Sequence, residues 1–373
     1  MRRALWLAER GGGATSPNPM VGCILLGVGG EAIGEGWHAR AGGPHAEAVA
    51  LEAARAARRD PHGGTAVISL EPCAHHGRTP PCADALVEAG IARVVFSLGD
   101  PAAGSGGATR LREAGVEVVE GVLAEESRRL NEAWLSFEES GRPLVHLKVA
   151  HTLSGHVTRG AGKARWISGP AAQSAVHRLR RRHPAVLVGI GTALADDPLL
   201  TVRDWPPAGG PVDDPTRDDH PWPDVQPIRV VLDSGLRLPP ESRLVGSTEE
   251  AGLLVLCGES APAERREALV ERGVEVDRIG SGESGLDLAA VLGELARRGI
   301  TGLLVEPGPT LAAAFLRSGL TDRWTAFVAA DADVAGDAVA LYGPAGPLPP
   351  FDLEDVRTAT HGRDVEISGR VET

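Results

Sequence analysis

Apolar and polar positions along the chain form segments that fit buried strands and amphipathic helices in turn. The apolar runs VGCILLG (21–27) and TAVISLE (65–71) are typical of buried strands, and the alanine-rich HAEAVALEAARAARR (45–59) between them is typical of a helix. ARVVFSLGD (92–100) predicts another strand, and a glycine-rich loop leads from it to the helical ATRLREAG (108–115). Strands that alternate with helices predict an α/β fold.

A break in this pattern separates two predicted domains. At residues 138–143 the segment EESGRP interrupts the alternation, which predicts one domain over residues 1–140 and a second over residues 143–373. Residues 204–227, rich in proline, glycine and aspartate, predict a loop inside the second domain, because strand-like runs flank them on both sides. The predicted strands of this domain are PLVHLKVA, AVLVGIG, IRVVLDS, GLLVLC and GLLVEPG, and the helix PTLAAAFLRSG follows the last of them.

Charge and cysteine content narrow the function classes. The chain has 38 lysine and arginine residues against 50 aspartate and glutamate residues, a net charge of −12 that disfavours nucleic acid as a partner. Local arginines can still bind one small phosphorylated molecule. No apolar run is long enough to predict a membrane helix, and the start MRRALWLAERGGG is too interrupted for a secretory signal. The four cysteines lack the spacing of a disulfide framework, so the composition predicts a cytoplasmic protein.

Four residues of the first domain form a pattern that is typical of zinc-dependent deaminases. His45 and Glu47 are separated by one residue at a predicted helix start, and Cys73 and Cys82, each directly after a proline, follow later. One imidazole and two thiolates, from His45, Cys73 and Cys82, leave one tetrahedral position of Zn²⁺ for water. Glu47 is the candidate catalytic residue, since a glutamate that does not bind the metal can carry a proton from that water to the departing amine.

Two other interpretations of these residues stay open at the level of sequence. Cys73 and Cys82 can be small buried apolar residues, with His45 a hydrogen-bonded histidine of the core. A purely structural zinc site would recruit a fourth protein ligand, for which His75 or His76 is available. The order of the residues, with a glutamate in place, favours the catalytic site.

The spacing of the two cysteines carries a more specific resemblance. Eight residues lie between them in EPCAHHGRTPPC (71–82), which closely resembles the deaminase half of the bifunctional riboflavin-biosynthesis enzymes, and SPNPMVGC (16–23) resembles the N-terminal segment of that family. The resemblance implies a cytidine-deaminase-like three-layer domain, with Asn18 on the pyrimidine and with His76 and Arg78 near the phosphoribosyl part of the substrate. Without it, Asn18 is a turn residue between two prolines and Arg78 is a surface charge.

Phosphate binding in the second domain has weaker signals. Gly189 and Gly191 follow a predicted strand, but the third glycine of a dinucleotide fingerprint is missing. Gly308 lies between a strand and a helix that begins at Pro309, where free backbone N–H groups suit a phosphate. A tight turn that needs glycine explains Gly308 equally well.

The second domain, from HLKVA (146–150) to about residue 330, resembles the reductase half of the same enzymes, a dihydrofolate-reductase-like α/β domain that uses NADPH. ARWISGP (164–170) and GTALADDPLLTVR (191–203) resemble two of its motifs. The resemblance implies NADPH contacts from Ala150, Trp166, Thr192, Asp196, Ser234, Gly308, Pro309, Thr310, Leu311, Ala312, Ala313 and Ala314. It implies substrate contacts from Arg180, Leu200, Arg203 and Glu306. Guanidinium groups bind phosphates bidentately, although arginines in a basic segment can also be surface charges.

Several positions depart from the family pattern. KVAHTLSG places Thr152 where family members have serine and Ser154 where they have aspartate. Ala164 replaces a hydroxyl residue, Pro307 replaces a small residue, and the loop DPAAGSGG (100–107) is shorter than usual. Losing a hydrogen-bonding group beside a polar substrate costs about 1 to 3 kcal/mol, which is enough to alter substrate choice or turnover but not the fold.

The sequence therefore predicts an enzyme with two activities, a hydrolytic deaminase that binds Zn²⁺ and an NADPH-dependent reductase, both acting on a phosphorylated pyrimidine. Relatives commonly self-associate, so the resemblance implies a homo-oligomer. Three alternatives stay open: a tRNA base deaminase, a diverged deaminase of a specialised pathway with a lost or redirected reductase, and a non-catalytic protein that binds zinc and a nucleotide. The cysteine spacing, the net charge of −12 and the second domain disfavour the first of them.

Overall fold

The computed structural model describes residues 1–75, 80–101, 106–158, 160, 167–203, 223–282, 285–332, 334–341 and 349–372. The chain divides into two compact units, and the change from the first unit to the second falls between Gly141 and Arg142. None of the helices within these residues is both long enough and apolar enough to cross a membrane. Most of the predicted loop at 204–227 lies outside the described residues.

The first unit contains a mixed sheet of five strands within the described residues. In chain order they are β1 (Gly22–Leu26), β2 (Ala32–Trp37), β3 (Thr65–Leu70), β4 (Arg93–Leu98) and β5 (Glu117–Val119). In space the order is β2-β1-β3-β4-β5; β1 is antiparallel to both of its neighbours, whereas β3, β4 and β5 are parallel. The helices are α1 (Arg2–Glu9), α2 (Ala46–Ala56), α3 (Cys82–Glu88), α4 (Gly107–Glu113), α5 (Ala124–Leu130) and α6 (Glu132–Ser140).

Helices cover both faces of this sheet. Along β1, Cys23 and Leu25 pack against α2, α3 and α4, whereas Ile24 between them packs against α1 on the opposite face. This alternation is the two-residue period of a strand that is buried on both sides. The three layers of helix, sheet and helix agree with the predicted α/β class and with the predicted layering of the first domain.

Small residues allow α2 to approach the sheet closely. A Cβ atom on Gly36 would lie 2.4 Å from the carbonyl oxygen of Ala46, and one on Gly34 would lie 2.3 Å from that of Ala50. Both alanines of α2 are fully buried. Because only glycine leaves room for the helix backbone, β2 sets the position of α2 and of the residues at its start.

The sheet of the second unit has nine strands within the described residues. In chain order they are β6 (Leu144–Thr152), β7 (Ala185–Gly189), β8 (Ile228–Leu232), β9 (Leu253–Gly258), β10 (Glu275–Ile279), β13 (Gly302–Val305), β14 (Arg323–Ala329), β15 (Asp352–His361) and β16 (Asp364–Glu372), while β11 (Ser281–Gly282) and β12 (Gly285–Leu286) form a separate pair. The spatial order is β10-β9-β8-β7-β13-β6-β14-β16-β15. The strands from β10 to β14 in this order are parallel, and β16 and β15 are antiparallel to their neighbours.

The centre of this sheet brings together the strand ends that carry the predicted site residues. Strands β8, β7, β13 and β6 are neighbours and parallel, so their carboxyl ends lie side by side, where open α/β sheets bind ligands. The described helices of the unit are α7 (Pro170–Arg182), α8 (Ile190–Asp196), α9 (Arg243–Gly246), α10 (Ala263–Val270), α11 (Leu288–Arg297) and α12 (Pro309–Arg317).

Several predicted strands extend beyond the observed ones, and β7 is an example. The run AVLVGIG predicts a strand to Gly191, but β7 ends at Gly189 and α8 begins at Ile190. Ile190 is buried like the strand before it, and a short apolar run does not show where a strand gives way to a buried helix start.

Candidate functional sites

Three predicted metal ligands meet in the first unit. His45 is the residue before α2, Cys73 follows β3, and Cys82 is the first residue of α3. His45 Nδ1 and the two Sγ atoms all lie within 4.8 Å of one another, with Nδ1 3.6 Å from Cys73 Sγ and 3.3 Å from Cys82 Sγ. His75 is exposed and does not belong to this group within the described residues, and His76 lies outside them.

The electrostatics of the three ligands suit a metal ion. Hydrogen bonds from the Cys82 thiol and from His45 lower the pKa of Cys73 to about 4, and the backbone N–H of Cys82 also donates to Cys73 Sγ, at 3.4 Å. The same thiol–thiolate bond, together with burial, raises the pKa of Cys82. One imidazole and two thiol groups of this geometry fit Zn²⁺, and three protein ligands are the number found in catalytic rather than structural zinc sites.

Glu47 lies beside this cluster in the first turn of α2. Its side chain is buried, with 3% of its surface exposed, and burial raises the pKa of its carboxyl group. Contact with Cys82 partly offsets this effect. A buried carboxyl group beside three metal ligands has the protonation behaviour that a proton carrier needs.

A second histidine, which the sequence did not single out, positions the predicted substrate residue Asn18. Asn18 Nδ2 donates to His38 Nε2 at 3.2 Å, and His38 Nδ1 donates to the carbonyl oxygen of Pro44 at 2.9 Å. The His38 ring lies edge-on to that of His45, with centroids 5.8 Å apart. Burial lowers the pKa of His38, so the ring is neutral and both bonds specify one tautomer. A histidine directly after a strand, seven residues before His-x-Glu, was the signal available in the sequence.

Glu71 joins the cysteine segment to the loop that follows β4. Its Oε1 and Oε2 accept backbone N–H groups at 2.9 to 3.3 Å from Asp100, Gly106 and Ala108. Gly107, directly after this loop, packs closely against the segment that leads to Cys73. A Cβ atom at position 107 would lie 1.8 Å from the carbonyl oxygen of Pro72, so there is no space for a side chain. The predicted substrate residues His76 and Arg78 lie outside the described residues.

The second unit holds a cavity of about 910 Å³ at the carboxyl ends of its central strands. Twelve predicted residues line it: Ala150, Arg180, Thr192, Asp196, Arg203, Ser234, Glu306, Gly308, Pro309, Thr310, Leu311 and Ala314. The volume lies in the range of cofactor sites.

Three other predicted residues are not among those that line the cavity. The side chain of Leu200 is buried in a hydrophobic cluster, and Ala312 and Ala313 are on the buried side of α12. Their side chains therefore do not line the cavity. Trp166 lies outside the described residues.

One part of the cavity fits the phosphates of a dinucleotide. The α12 helix begins directly after Gly308, so its first N–H groups have no partner within the helix. A Cβ atom on Gly308 would lie 3.3 Å from Thr192 Oγ1, which brings the starts of α8 and α12 together. Two helix starts and a glycine turn form the kind of cradle that binds phosphate.

Another part of the cavity is built around the buried carboxylate of Glu306. Arg180 donates to both of its oxygens, at 2.6 and 3.1 Å, and Lys148 Nζ lies 3.7 Å from Oε2. Burial opposes ionisation, but the charges of Arg180 and Lys148 outweigh it and lower the pKa of Glu306 to about 2. Lys148 is the first residue of the motif KVAHTLSG, but it was not among the residues predicted to contact cofactor or substrate.

Thr201 organises the two predicted substrate arginines. Arg180 Nη1 donates to its carbonyl oxygen at 3.1 Å, and Arg203 Nη1 donates to its hydroxyl at 3.1 Å. The backbone N–H of Arg203 donates to His177 Nδ1 at 3.2 Å. Both guanidinium groups are thus fixed at the cavity wall, as phosphate recognition requires.

Two of the residues that depart from the family pattern, Thr152 and Ser154, bond to each other within one turn. Ser154 Oγ lies 3.0 Å from both Thr152 Oγ1 and His156 Nδ1, and the backbone N–H of His156 donates to Thr152 Oγ1 at 3.2 Å. This turn does not contribute Ser154 to the cavity wall, whereas Pro307 lines the cavity. Ala164 lies outside the described residues.

Two known domain families match the chain in succession. Residues 1–98 match the cytidine and deoxycytidylate deaminase zinc-binding region, and residues 143–365 match the RibD C-terminal domain. The riboflavin biosynthesis protein RibD of Escherichia coli (strain K12) is 41% identical over 335 residues, which cover 88% of this chain and 86% of that protein.

Two solved structures are similar over the whole chain. A diaminohydroxyphosphoribosylaminopyrimidine deaminase/5-amino-6-(5-phosphoribosylamino)uracil reductase from Thermotoga maritima has a TM-score of 0.80 at 33% identity, covering 100% of this chain and 97% of that one. A RibD from Acinetobacter baumannii has a TM-score of 0.79 at 35% identity, covering 100% of this chain and 98% of that one.

Proposed function

The chain belongs to the RibD family, and on that premise we propose which of its residues carry out the two reactions of a bifunctional riboflavin-biosynthesis enzyme. The predicted family, the cytidine-deaminase-like and dihydrofolate-reductase-like folds, and the cofactors Zn²⁺ and NADPH are confirmed. The enzyme hydrolytically deaminates a diaminopyrimidine ribosylamino phosphate and then reduces its ribosyl group to ribityl. We assign the deaminase to residues 1–140 and the reductase to residues 143–373.

The observation that carries the deaminase assignment is the cluster of His45, Cys73 and Cys82 with the buried Glu47 at its side. Bound zinc supplies the Lewis acid that activates the attacking water. Glu47 takes a proton from that water and delivers it to the departing amine, so the pyrimidine carbon gains oxygen and releases ammonia. Asn18, held by His38, orients the pyrimidine for this attack.

In the second unit, the cavity residues position the cofactor and the sugar. The start of α12 and Thr192 would hold the phosphates of NADPH, which would supply a hydride to C1′ of the ring-opened, imine form of the sugar while the imine nitrogen takes a proton from water. Arg203 binds the substrate phosphate, and Arg180 holds Glu306 in place beside the substrate. The ion pair of Arg180 and Glu306, in a cavity that also holds Lys148, supports this assignment.

We also propose that the enzyme works in the cytoplasm as a homo-oligomer. All four cysteines are free thiols, and two of them serve as metal ligands only when reduced, as they are in a reducing compartment. Analytical ultracentrifugation of the zinc-loaded protein tests the assembly; a single species at the mass of one chain would contradict it.

Mass spectrometry of the zinc-loaded protein with the diaminopyrimidine phosphate, with and without NADPH, tests the function. We expect an amino-to-oxo mass change without NADPH and a further gain of two hydrogens with it. Deamination alone would limit the function to the first unit and point to a redirected reductase. No change in either sample, with zinc present, would contradict the deaminase assignment; the reductase assignment fails if the deaminated intermediate, supplied directly with NADPH, is not reduced.

A further inference from the structure

Residues 197–203, the segment that follows α8, have a backbone that needs support from the rest of the protein. Asp197 and Leu200, neither of them a glycine, have φ angles of 38° and 57°. A residue with a Cβ atom is strained in this left-handed region, so it persists only where surrounding contacts hold it. The same segment carries Thr201, whose hydroxyl accepts a hydrogen bond from the guanidinium of Arg203. The position of this guanidinium therefore depends on what holds the backbone before it.

A buried arginine of the neighbouring strand holds this segment. Arg229, the second residue of β8, is fully buried, and its Nη1 donates to the carbonyl oxygen of Leu199 at 3.2 Å and to Ser247 Oγ at 2.7 Å. Its Nη2 donates to the carbonyl oxygens of Ser247, at 3.0 Å, and Ala251, and its Nε donates to that of Gly252 at 3.4 Å. The last three of these residues precede β9, so the guanidinium joins the segment after α8 to that part of the chain.

The contacts of Arg229 require the shape of a guanidinium and not only its charge. All of these acceptors are carbonyl or hydroxyl oxygens, which have fixed directions around the planar group. Burial lowers the pKa of Arg229 to about 10, so the group stays protonated at neutral pH. A lysine has a single nitrogen at the end of its side chain and cannot reach acceptors on several sides of one plane.

The bond to Leu199 lies two residues before the point where the segment meets the cavity. Thr201 is fully buried; its carbonyl oxygen accepts from Arg180 and its hydroxyl accepts from Arg203, both at 3.1 Å. A displacement of Leu199 would therefore shift Thr201 and with it the guanidinium of Arg203 at the cavity wall. The start of α12, to which the cofactor phosphates are assigned, makes none of these contacts.

We propose that Arg229 is a positioning residue of the reductase, which holds the carbonyl oxygen of Leu199 and thereby places Arg203 for binding of the substrate phosphate. The inference rests on the proposed reductase function and adds a buried residue that is not part of the described cavity wall. Because Arg229 acts through the substrate arginine, its loss should raise the KM of the deaminated intermediate and leave the affinity for NADPH unchanged. A purely structural role would lower stability and the fraction of active enzyme at an unchanged KM.

Steady-state reduction of the deaminated intermediate by Arg229→Lys, followed by the absorbance of NADPH, tests this proposal. We expect KM for the intermediate to rise about tenfold and kcat to change by less than about threefold. The dissociation constant of NADPH, from fluorescence titration, should equal that of the wild type. In protein without substrate, hydrogen exchange of the backbone N–H groups of residues 199–203 should be about tenfold faster in the variant.

Arg142→Lys is the matched control. Arg142 donates to both carboxylate oxygens of Asp322 at 2.7 Å, in the same unit but outside the described cavity wall. The control should lower the melting temperature without changing KM. An unchanged KM in folded Arg229→Lys, or an equal rise in Arg142→Lys, would overturn the proposal while the reductase assignment stands. If the wild type neither binds NADPH nor reduces the intermediate, the reductase assignment fails and the proposal fails with it.

A milder variant decides the question if Arg229→Lys does not fold. Ser247→Ala removes the hydroxyl that holds the same Nη1 nitrogen of Arg229, so the bond to Leu199 loses part of its support. We expect KM for the deaminated intermediate to rise about threefold in this variant, with the affinity for NADPH unchanged. A KM equal to that of the wild type would overturn the proposal.

Discussion

Glu47 in the first unit and Glu306 in the second are both buried, yet the pKa of Glu47 is raised and that of Glu306 is lowered to about 2. Burial raises the pKa of each carboxyl group. Only Glu306 has two cationic neighbours, Arg180 and Lys148, whose charges exceed this effect. Glu47 can therefore gain and lose a proton, whereas Glu306 is a permanent negative charge. In the proposed function, the same residue type serves as a proton carrier in the first unit and as a fixed negative charge in the second.

The largest expected effect comes from removing the proton carrier. Glu47→Gln keeps the size of the side chain but cannot transfer a proton, so ammonia release should fall about 10³-fold. Zinc content by elemental mass spectrometry should stay at the wild-type level, because Glu47 is not one of the three ligands. Reduction of the deaminated intermediate should be unchanged. Retained deamination would remove Glu47 from the mechanism.

The corresponding change in the second unit should act through charge rather than proton transfer. Glu306→Gln leaves Arg180 and Lys148 without their carboxylate, so we expect reduction to fall about 10²-fold and the free energy of unfolding of this unit to fall by about 2 to 3 kcal/mol. Deamination by the same variant should be unchanged. Glu354→Gln, on the exposed strand β15, is the control and should alter neither reaction. An unaffected reductase in Glu306→Gln would show that the ion pair is not needed.

Two hydrogen-bonded histidines, the buried His146 and the partly buried His183, make the second unit sensitive to acid. His183 Nδ1 donates to the carbonyl oxygen of Leu179 at 2.7 Å, so its Nε2 accepts from His146 Nδ1 at 3.3 Å. His146 Nε2 then accepts from the hydroxyl of Thr325 at 2.8 Å. Burial, with a smaller contribution from Arg323, lowers the pKa of His183 to about 4 and that of His146 well below its usual value.

These lowered pKa values predict a loss of stability on acidification. Between about pH 6.5 and pH 4 the unfolded histidines bind protons and the folded ones do not, so the free energy of unfolding should fall by about 2 to 3 kcal/mol as the pH falls through this window. Above pH 7 both histidines are neutral in the folded and in the unfolded state, so they no longer lower the free energy of unfolding. Calorimetric melting at several pH values measures the slope, which should be smaller in His183→Asn. An equal slope in that variant would contradict the assignment.

A smaller effect is expected where the first unit holds its cysteine segment. Glu71→Gln replaces one accepting oxygen by an NH₂ group that faces a backbone N–H, so the loop after β4 should loosen and zinc affinity should fall about tenfold. Competition with a chromogenic chelator measures the affinity. Glu52→Gln, an exposed position on α2, should leave it unchanged. Unaltered zinc affinity in Glu71→Gln would show that the loop does not position Cys73.

The smallest effect is expected from restoring the family residue at position 154. Ser154 bonds to Thr152 and His156 and does not line the cavity, so Ser154→Asp should change kcat/KM of the reductase less than threefold. Steady-state kinetics with NADPH measure this. A gain of tenfold or more would mean that this turn does reach the substrate and that the serine limits the reaction.

The two sites differ in how far the sequence predicted them, and the reason is the length of chain that each site spans. The three predicted ligands of the first unit lie at two helix starts and after one strand, all within 38 residues, so their spacing in the sequence already indicates the chemistry. The cavity of the second unit takes one or a few residues from each of several strand ends between Lys148 and Val339. Its predicted residues came from the family resemblance, and Lys148, although it belongs to a quoted motif, was not predicted to reach the cavity.

Some parts of the fold also had no pattern in the sequence from which they could be predicted. The C-terminal hairpin of β15 and β16 was not predicted, because most residues of β15 are exposed and it has no buried apolar run. In the first unit, His38 was missed because its role depends on the pairing of β2 with β1, which brings it back to Asn18. Contacts of this kind depend on tertiary pairing rather than on local periodicity.

The close contact between Gly107 and Pro72 limits which residues position 107 can hold. Any residue larger than glycine there would push against the backbone that leads to Cys73. A side chain as small as the methyl group of alanine would therefore reach the proposed metal ligands through the backbone, without touching them. The tolerance of this position to substitution is thus tied to the metal site, although Gly107 itself carries no chemical group that could bind a metal.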